Sequence, residues 1–398
     1  MHACGRACAR VPTACWACWR RSGSARLARE ELSALGRVIA AYGAYGDATR
    51  NEVARWEVAL ASLREEEQAL VPRVAGRCKR ARELVAANEA VLREALGFFD
   101  GGAEMLAAAE ASGGRVPMDD VEKVRCVLRS LARDWSDEGA AEREACYAPL
   151  LEEMRRVLPL PSLQHAGAVG GAADGAAESQ PPRVLVPGAG LGRLAWEAAV
   201  AGYDAQGNEF SYYMMLASNF VLNSTSDLLQ RAIYPWVHQS SNNVSDVDAQ
   251  RPARFPDVCP SVAAEGGGPL RMSMCAGDFV EVYTQDDMHG AFDCVLSCFF
   301  LDTAENVLQY LRAIHTALRP GGYLINLGPL LYHWAEHGGA HLSLELSLED
   351  VIAAAEGIGF EMLRREEELR PCGYTGNARS MQRTVYHCAM FTLRKRPV

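Results

Sequence analysis

The stretch Val184-Leu185-Val186-Pro187-Gly188-Ala189-Gly190-Leu191-Gly192-Arg193 decides the fold. A short apolar run passes into a glycine turn, and the residues that follow, Leu194 to Ala201, have the spacing of a helix. Lacking Cβ atoms, Gly188, Gly190 and Gly192 permit left-handed backbone and close approach of peptide groups to a ligand. As a dinucleotide fingerprint, Gly-x-Gly-x-x-Gly, the turn fails, because position 193 holds Arg193.

Outward from this turn, short β-rich runs alternate with helical ones. Arg183 to Val186, Asp204 to Gly207, Leu270 to Met274, Phe292 to Ser297 and Tyr323 to Leu327 read as strands, the last entered through Pro320-Gly321-Gly322. A further helix starts at about Tyr212, and residues 238–268 read as a loop. The alternation predicts parallel strands with right-handed crossovers, hence a doubly wound α/β sheet over 183–398. Before it, residues 30–160 are rich in Ala, Leu, Glu and Arg, with apolar residues at helical spacing: Val53, Trp56, Leu60 and Leu63, then Val121, Val124, Leu128 and Leu131. Breaks at Gly43 to Gly46, Pro72, Gly101-Gly102 and Gly113-Gly114 predict five helices packed as a cap on the sheet. Residues 161–182, rich in Gly, Ala and Ser and ending in two prolines, read as the linker between the two regions.

The chain has 398 residues, 49% of them hydrophobic and 23% charged, which excludes wholesale disorder. No apolar run approaches the roughly 18 residues of a membrane helix, so no membrane partner is expected. The net charge of −10 excludes a globally basic footprint for nucleic acid and favours a small substrate. Residues 1–29 stand apart as a basic leader, with six arginines and no acid before Glu30. That composition suits an organellar transit peptide, a disordered start or a mis-annotated one, although four cysteines and two tryptophans fit targeting poorly. Thirteen cysteines, mostly scattered singly, point to a reducing compartment. Cys15 and Cys18, with Cys4 and Cys8 upstream, lack the second half of a zinc-ribbon spacing, and no metal is expected.

Without a call for pyrophosphate, a Gly-x-Gly-x-Gly turn suits S-adenosylmethionine, whose methionine moiety it would face; an ordinary strand-to-helix loop is the alternative. Two further positions agree with the nucleoside. Glu209 ends the next strand 21 residues after Gly188, where an acid can accept both ribose hydroxyls. Asp278-Phe279 follows the third strand, where the acid can accept the adenine amino hydrogens and the ring can pack on the base. A surface carboxylate for either acid and a core anchor for Phe279 are the plainer alternatives. Together the features indicate a Rossmann-like class I methyltransferase sheet behind an all-helical N-terminal region.

Cys298 to Thr303 follows the fourth strand, where open sheets place substrate, and Asp302 there is either a site carboxylate or the cap of a helix beginning at Thr303. Asn-Pro-Pro-Tyr, typical of many amide and adenine methyltransferases, is absent. Ile325 to His333 ends the fifth strand and delivers His333 to the same region. His333, His337 and His341 share helical spacing, but Gly338 and Gly339 break that helix and count against metal coordination.

At these residues the chain resembles the carnosine N-methyltransferase, or N2227-like, family. The blocks that carry the likeness include Arg133-Asp134-Trp135-Ser136, Val186 to Trp196, Gln206 to Glu209, Ser218 to Asn223, Tyr234-Pro235-Trp236, Ala276 to Phe279, Cys298 to Phe300 and Asn326 to His333. The resemblance implies transfer of a methyl group from S-adenosylmethionine to the imidazole Nδ1 of carnosine, β-alanyl-L-histidine, giving anserine and S-adenosylhomocysteine. It implies that Arg133, Gly188, Glu209, Asp278, Phe279 and Cys298 contact the donor, with Gly190 in the same turn, and that Asp302, His333, Tyr374 and Tyr386 line the dipeptide site. A homodimer and a cytoplasmic or nuclear location are implied too.

Two positions depart from the family pattern. Ser130 stands where the family has Gln, three residues before Arg133, and Thr384 replaces a tyrosine two residues before Tyr386. The first removes a donor contact or leaves it to water; the second removes an aromatic wall and opens the question of selectivity among imidazole peptides. For the reaction itself, a carboxylate accepting the hydrogen bond of one ring nitrogen fixes the tautomer that leaves the other nucleophilic, and Asp302 is the candidate. His333 would orient the dipeptide rather than take up the released proton. A methyltransferase acting on histidine in peptides or proteins, and a non-catalytic S-adenosylmethionine-binding scaffold, are the competing functions; a Rossmann oxidoreductase is disfavoured by Arg193.

Overall fold

A computed structural model of the chain describes residues 25–160, 180–224, 227–261, 269–335 and 342–397. The four leader cysteines, most of the linker, His337 and His341 lie outside the described residues.

The N-terminal region holds α1 (Ala25–Ala61), α2 (Glu65–Leu70), α3 (Val74–Gly97), α4 (Gly102–Ser112), α5 (Met118–Trp135) and α6 (Ala140–Val157). These are six helices where the sequence predicted five, and the difference includes a misplaced break. Helix α1 runs straight through Gly43 and Gly46. Both glycines are points of close helix packing: a Cβ at Gly43 would come within 2.6 Å of Leu106 Cδ1 on α4, and one at Gly46 would come within 2.5 Å of Glu89 Oε2 on α3. The expected breaks near Pro72 and at the two later glycine pairs do separate helices. Asp119 and Asp120 in the first turn of α5 and Arg133 in its last complement the helix dipole, while Val121, Val124, Val127, Leu128 and Leu131 form its buried face.

The second region comprises β1 (Arg183–Pro187), α7 (Arg193–Val200), β2 (Asp204–Glu209), α8 (Tyr212–Ser224), β3 (Arg231–Ile233), α9 (Asp246–Ala249), β4 (Ala253–Phe255), β5 (Met272–Ala276), α10 (Phe279–Tyr283), β6 (Phe292–Cys298), α11 (Val307–Ala317), β7 (Leu318–Gly328), α12 (Leu348–Ile358), β8 (Phe360–Arg365), β9 (Arg370–Cys372) and β10 (Tyr386–Lys395). The main sheet has the order β5-β2-β1-β6-β7-β10-β8, with β9 paired to β10. Strands β5, β2, β1, β6 and β7 are mutually parallel, as expected for crossover connections. The far edge corrects the all-parallel expectation, since β10 runs antiparallel to β7, β8 and β9. Chain order reverses direction at β1, so the glycine turn after it opens at the switch point where such sheets bind ligands. The presumed loop 238–268 is also partly ordered, carrying α9 and β4, which pairs with β3 in a small antiparallel ribbon.

Helices cover both faces. One core joins the N-terminal helices to α7, α8 and one sheet face; the other packs α10, α11 and α12 on the opposite face. The seam between the helical region and the sheet is polar as well as apolar. Trp135, fully buried, donates its indole N–H to the Leu191 carbonyl in the glycine turn at 3.1 Å. Arg193 donates to the Asp134 carbonyl at 2.8 Å and to Asp257 Oδ1 at 2.7 Å, its guanidinium lying over the Trp135 and Trp196 rings. Arg143 donates to Asp257 Oδ2 at 2.6 Å and to the Arg133 and Ser136 carbonyls at 2.6 and 2.7 Å. The Asp257 N–H closes the group by donating to the Trp135 carbonyl at 2.8 Å. The side chain that spoils the dinucleotide fingerprint is therefore half of a clamp that fixes the end of α5 against the turn.

Replacing Asp257 by Ala would leave the Arg143 guanidinium, whose side chain is 9% exposed, without its carboxylate, and would leave Arg193, 6% exposed, with Glu197 alone at 2.7 Å. A loss of about 3–5 kcal/mol in unfolding free energy is expected, measured by urea titration; a loss below about 1 kcal/mol would mean that the clamp does not hold the seam.

Candidate active site

The turn after β1 is built as the sequence predicts: Gly188, Gly190 and Gly192 have φ of 61°, 55° and 82°. A Cβ at Gly188 would collide with the Phe300 ring at 2.7 Å, whereas at Gly190 the nearest neighbour would be Asp134 Oδ2 at 3.8 Å. Glu209 ends β2 and turns back over this loop, accepting from the Gly190 N–H at 2.8 Å and the Ser211 N–H at 2.8 Å. Burial pushes its carboxyl up from the ordinary range, and these backbone N–H groups pull against that shift. Each oxygen keeps a further lone pair for a hydroxyl donor.

Above the turn lies the end of α5. Arg133 is 8% exposed, and its Nη1 donates to the Tyr147 hydroxyl at 2.8 Å and to Asp134 Oδ1 at 3.2 Å. The guanidinium is stacked on the Tyr147 and Tyr374 rings, 4.9 and 4.6 Å from their centroids. Among the described residues its Nε and Nη2, both buried, have no hydrogen-bond partner, although Nε lies 3.5 Å from Glu142 Oε2. A buried cation with unused donors is suited to a carboxylate brought by a ligand. Asp134, Tyr147 and Glu142 are members of this constellation that sequence reasoning did not single out. Asp134 sits inside a quoted block, but Tyr147 and Glu142 occupy unremarkable positions on α6. Glu142 also accepts from the Thr375 and Gly376 N–H groups at 2.9 and 3.0 Å, tying the Tyr374 loop to Arg133.

Asp278 is the N-cap of α10, its Oδ1 accepting from the Glu281 N–H at 3.0 Å, and Phe279 is buried among Tyr283, Phe300 and Tyr310. Phe279 is thus the core ring of the plainer alternative, whereas Asp278 is a half-buried helix cap, a role the sequence reading did not offer. They stand beside the turn all the same, since Phe300 packs on Phe279 and also on Gly188.

Cys298 ends β6, and burial pushes its thiol up, so it is an apolar wall and no nucleophile. The next residue, Phe299, has φ of 52°, an uncommon conformation for a bulky side chain. It is held there by donation of its N–H to the Leu327 carbonyl at 3.0 Å, beside Gly328, where a Cβ would come within 3.2 Å of that nitrogen. The twist aims its ring between Tyr374 and Tyr386, at 5.0 and 5.6 Å. The structure thereby brings Arg133, Tyr374, Phe299 and Tyr386 into one wall.

Asp302 is 2% exposed and lies in a single 3-10 turn, Leu301–Thr303. The helix-cap alternative is corrected: α11 starts at Val307, and Asn306 caps it by accepting from the Leu308 N–H at 3.0 Å. Asp302 Oδ2 accepts instead from the Leu331 N–H at 2.9 Å, and its backbone carbonyl accepts from the His333 N–H at 3.0 Å. Burial raises the Asp302 carboxyl above the ordinary range, against the pull of the Leu331 N–H and of His333. The His333 ring is exposed, and no ion pair joins it to Asp302 among the described residues.

The family model described as carnosine N-methyltransferase matches residues 111–397, from the last turn of α4 through β10. The Mus musculus protein of that name is 39% identical over 376 residues, 93% of this chain and 87% of its own length. Its Schizosaccharomyces pombe namesake is 40% identical over 280 residues, 68% of this chain and 70% of its own. "Carnosine N-methyltransferase unmet" of Drosophila melanogaster is 36% identical over 392 residues, 92% of this chain and 80% of its own. Both the extent of the family match and these identities carry the same conclusion: the chain belongs to the carnosine N-methyltransferase family.

Proposed function

We propose that the protein transfers the methyl group of S-adenosylmethionine to the imidazole Nδ1 of carnosine, giving anserine and S-adenosylhomocysteine. Asp302 is the observation that carries the reading: a buried carboxylate, off the helix cap it resembled, held by one backbone N–H with acceptor capacity to spare.

The residues fit the donor. Arg133, with buried Nε and Nη2 unused, takes its carboxylate, and the Asp134 carboxylate beside Gly190 faces its ammonium. Gly188 and Gly190 admit its chain, Glu209 accepts its ribose hydroxyls, and Asp278, Phe279 and Cys298 bound the adenine side. When bound, S-adenosylmethionine supplies an electrophilic sulfonium methyl for in-line displacement by nitrogen.

The chain's own task is alignment and electrostatics. Asp302 accepts the N–H of one imidazole nitrogen, so the lone pair of the other is the one presented to the donor. As that nitrogen becomes bonded, positive charge grows on the ring, and the same carboxylate stabilises it in a site shielded from water. His333, tethered through its backbone to Asp302, orients the dipeptide; Tyr374 and Tyr386, braced by Phe299, enclose the ring. No helix among the described residues is long and apolar enough to cross a membrane. The cysteines scattered singly through the chain support a reducing location, cytoplasm or nucleus.

Methyl-labelled donor incubated with the purified protein and carnosine should label Nδ1, with histidine, homocarnosine and whole-cell protein as comparison acceptors. Asp302→Asn should lower kcat/KM for carnosine by about 10²–10³-fold, and unchanged turnover would refute the role of this carboxylate. The same variant should be more stable than the native chain at neutral pH. Because burial raises the Asp302 pKa in the folded state, folded protein binds the proton more tightly than unfolded, and stability falls as pH rises through that raised value. Asn remains neutral and can still accept from Leu331, so the gain in melting temperature should vanish at pH values below the ordinary carboxylate pKa of about 3.9. Arg133→Gln should weaken donor binding by about 10–100-fold in calorimetry, the worth of a charge-assisted bond to a carboxylate; an unaltered Kd would place the donor carboxylate elsewhere.

A further inference from the structure

Behind the wall formed by Tyr374 and Tyr386 is a cavity of about 750 Å³, larger than a dipeptide whose ring is committed at Asp302 would fill. Both tyrosines line it, and Phe299 packs on both from the side of β6, so the cavity shares a wall with the acceptor site. Thr384 lines it as well, where a larger side chain would occupy part of the space.

Its charge is opposite to that of the chain. Arg55, Arg125, Arg129 and Arg383 line it against Glu52 and Glu142, a surplus of two cations in a protein of net charge −10. Glu142 is engaged by Arg133 and by two backbone N–H groups, Glu52 pairs with Arg125 at 2.9 Å, and Glu122, outside the lining, pairs with Arg129 at 2.7 Å and Arg125 at 3.4 Å, so the surplus falls to one cation when Glu122 is included. The Arg125 side chain is 6% exposed, and its Nε is buried without a hydrogen-bond partner among the described residues. His238, also on the lining, has a buried Nδ1 in the same condition, and burial, reinforced by Arg125 and Arg129, pushes its pKa down to about 3. Neutral His238 therefore offers a hydrogen bond and no charge, while the two arginines supply the field. Buried donors left unsatisfied in a roomy, net-positive chamber are matched by a carboxylate, which accepts in the planar geometry that guanidinium presents.

We propose that this cavity is an anion-accepting extension of the acceptor site, and that the substrates include imidazole peptides carrying an additional carboxylate beyond the methylated histidine. The inference rests on the function proposed above and adds the substrate class. Arg125 and Arg129 are its recognition residues, and Thr384 keeps the way to them open.

The test compares two acceptors, β-alanyl-histidyl-glutamate and its isostere β-alanyl-histidyl-glutamine, with carnosine as reference. In the native protein the Glu peptide should exceed the Gln peptide in kcat/KM by about fivefold or more, the worth of one screened ion pair. The ratio should approach one in Arg129→Gln, whose side chain is 17% exposed, and in Thr384→Tyr, which fills the passage. Calorimetry of both peptides with the S-adenosylhomocysteine-saturated protein reads the same preference without turnover. Equal constants for the two peptides, no binding of either, or a preference that survives both substitutions would overturn the inference. Carnosine methylation with no Glu preference would sink this proposal and leave the proposed function standing. Preferential binding of the Glu peptide with no methylation of any acceptor would uphold the cavity and sink the reaction.

Discussion

One carboxylate between two buried guanidiniums holds the active cleft in register. Asp257 bonds Arg143 on one side and Arg193 on the other, and those two arginines in turn hold the Arg133, Asp134 and Ser136 carbonyls. Such a group has full worth only when every member is present, since the low-dielectric surroundings that strengthen each bond also penalise any charge left over. It joins chain segments that share no sheet or helix: the end of α5, the start of α6, the first turn of α7 and the second residue after the β3–β4 ribbon. Asp134 stands beside Gly190 in the turn because the backbone around it is fixed in this way. The tryptophan pair under Arg193 adds an apolar floor that keeps water from the bonds.

What the sequence disclosed, it disclosed where the chemistry is local. The glycine turn, the acid at the end of β2 and the five β-rich runs along the chain follow from stretches of fewer than ten residues read in isolation. Arg193 shows the limit of that method: by pattern it is a missing glycine, and only the fold reveals its partner Asp257, 64 residues away. Glu142 is further out of reach, since the amides that it accepts from lie 233 and 234 residues downstream. Gly43 and Gly46 mislead for a related reason, because in sequence a glycine that breaks a helix looks the same as one that lets two helices touch. The antiparallel edge of the sheet was not legible either: β8 and β10 lack the alternation that marks a half-buried strand and were not among the runs read as strands.

Around the residues proposed to hold the acceptor, one contact runs through the backbone and another went unread in the sequence. Asp302 and His333 are joined by a backbone hydrogen bond, and His333 also acts on the Asp302 carboxyl through its charge. Phe299, passed over as one apolar residue between two others, supports the aromatic wall from a left-handed conformation that Gly328 makes room for. Strain of this sort persists only when its surroundings over-determine it, and here the Leu327 carbonyl and two tyrosine rings do so.

Glu142 gives the two halves of the cleft a common hinge pin. Its carboxylate touches Arg133 with one oxygen and holds the backbone of residues 375–376 with both. A ligand that draws the guanidinium toward itself must therefore be felt in the loop that carries Tyr374. Thermodynamic reciprocity requires the converse to the same degree, so any coupling that one ligand exerts through this side chain is returned by the other, whichever binds first.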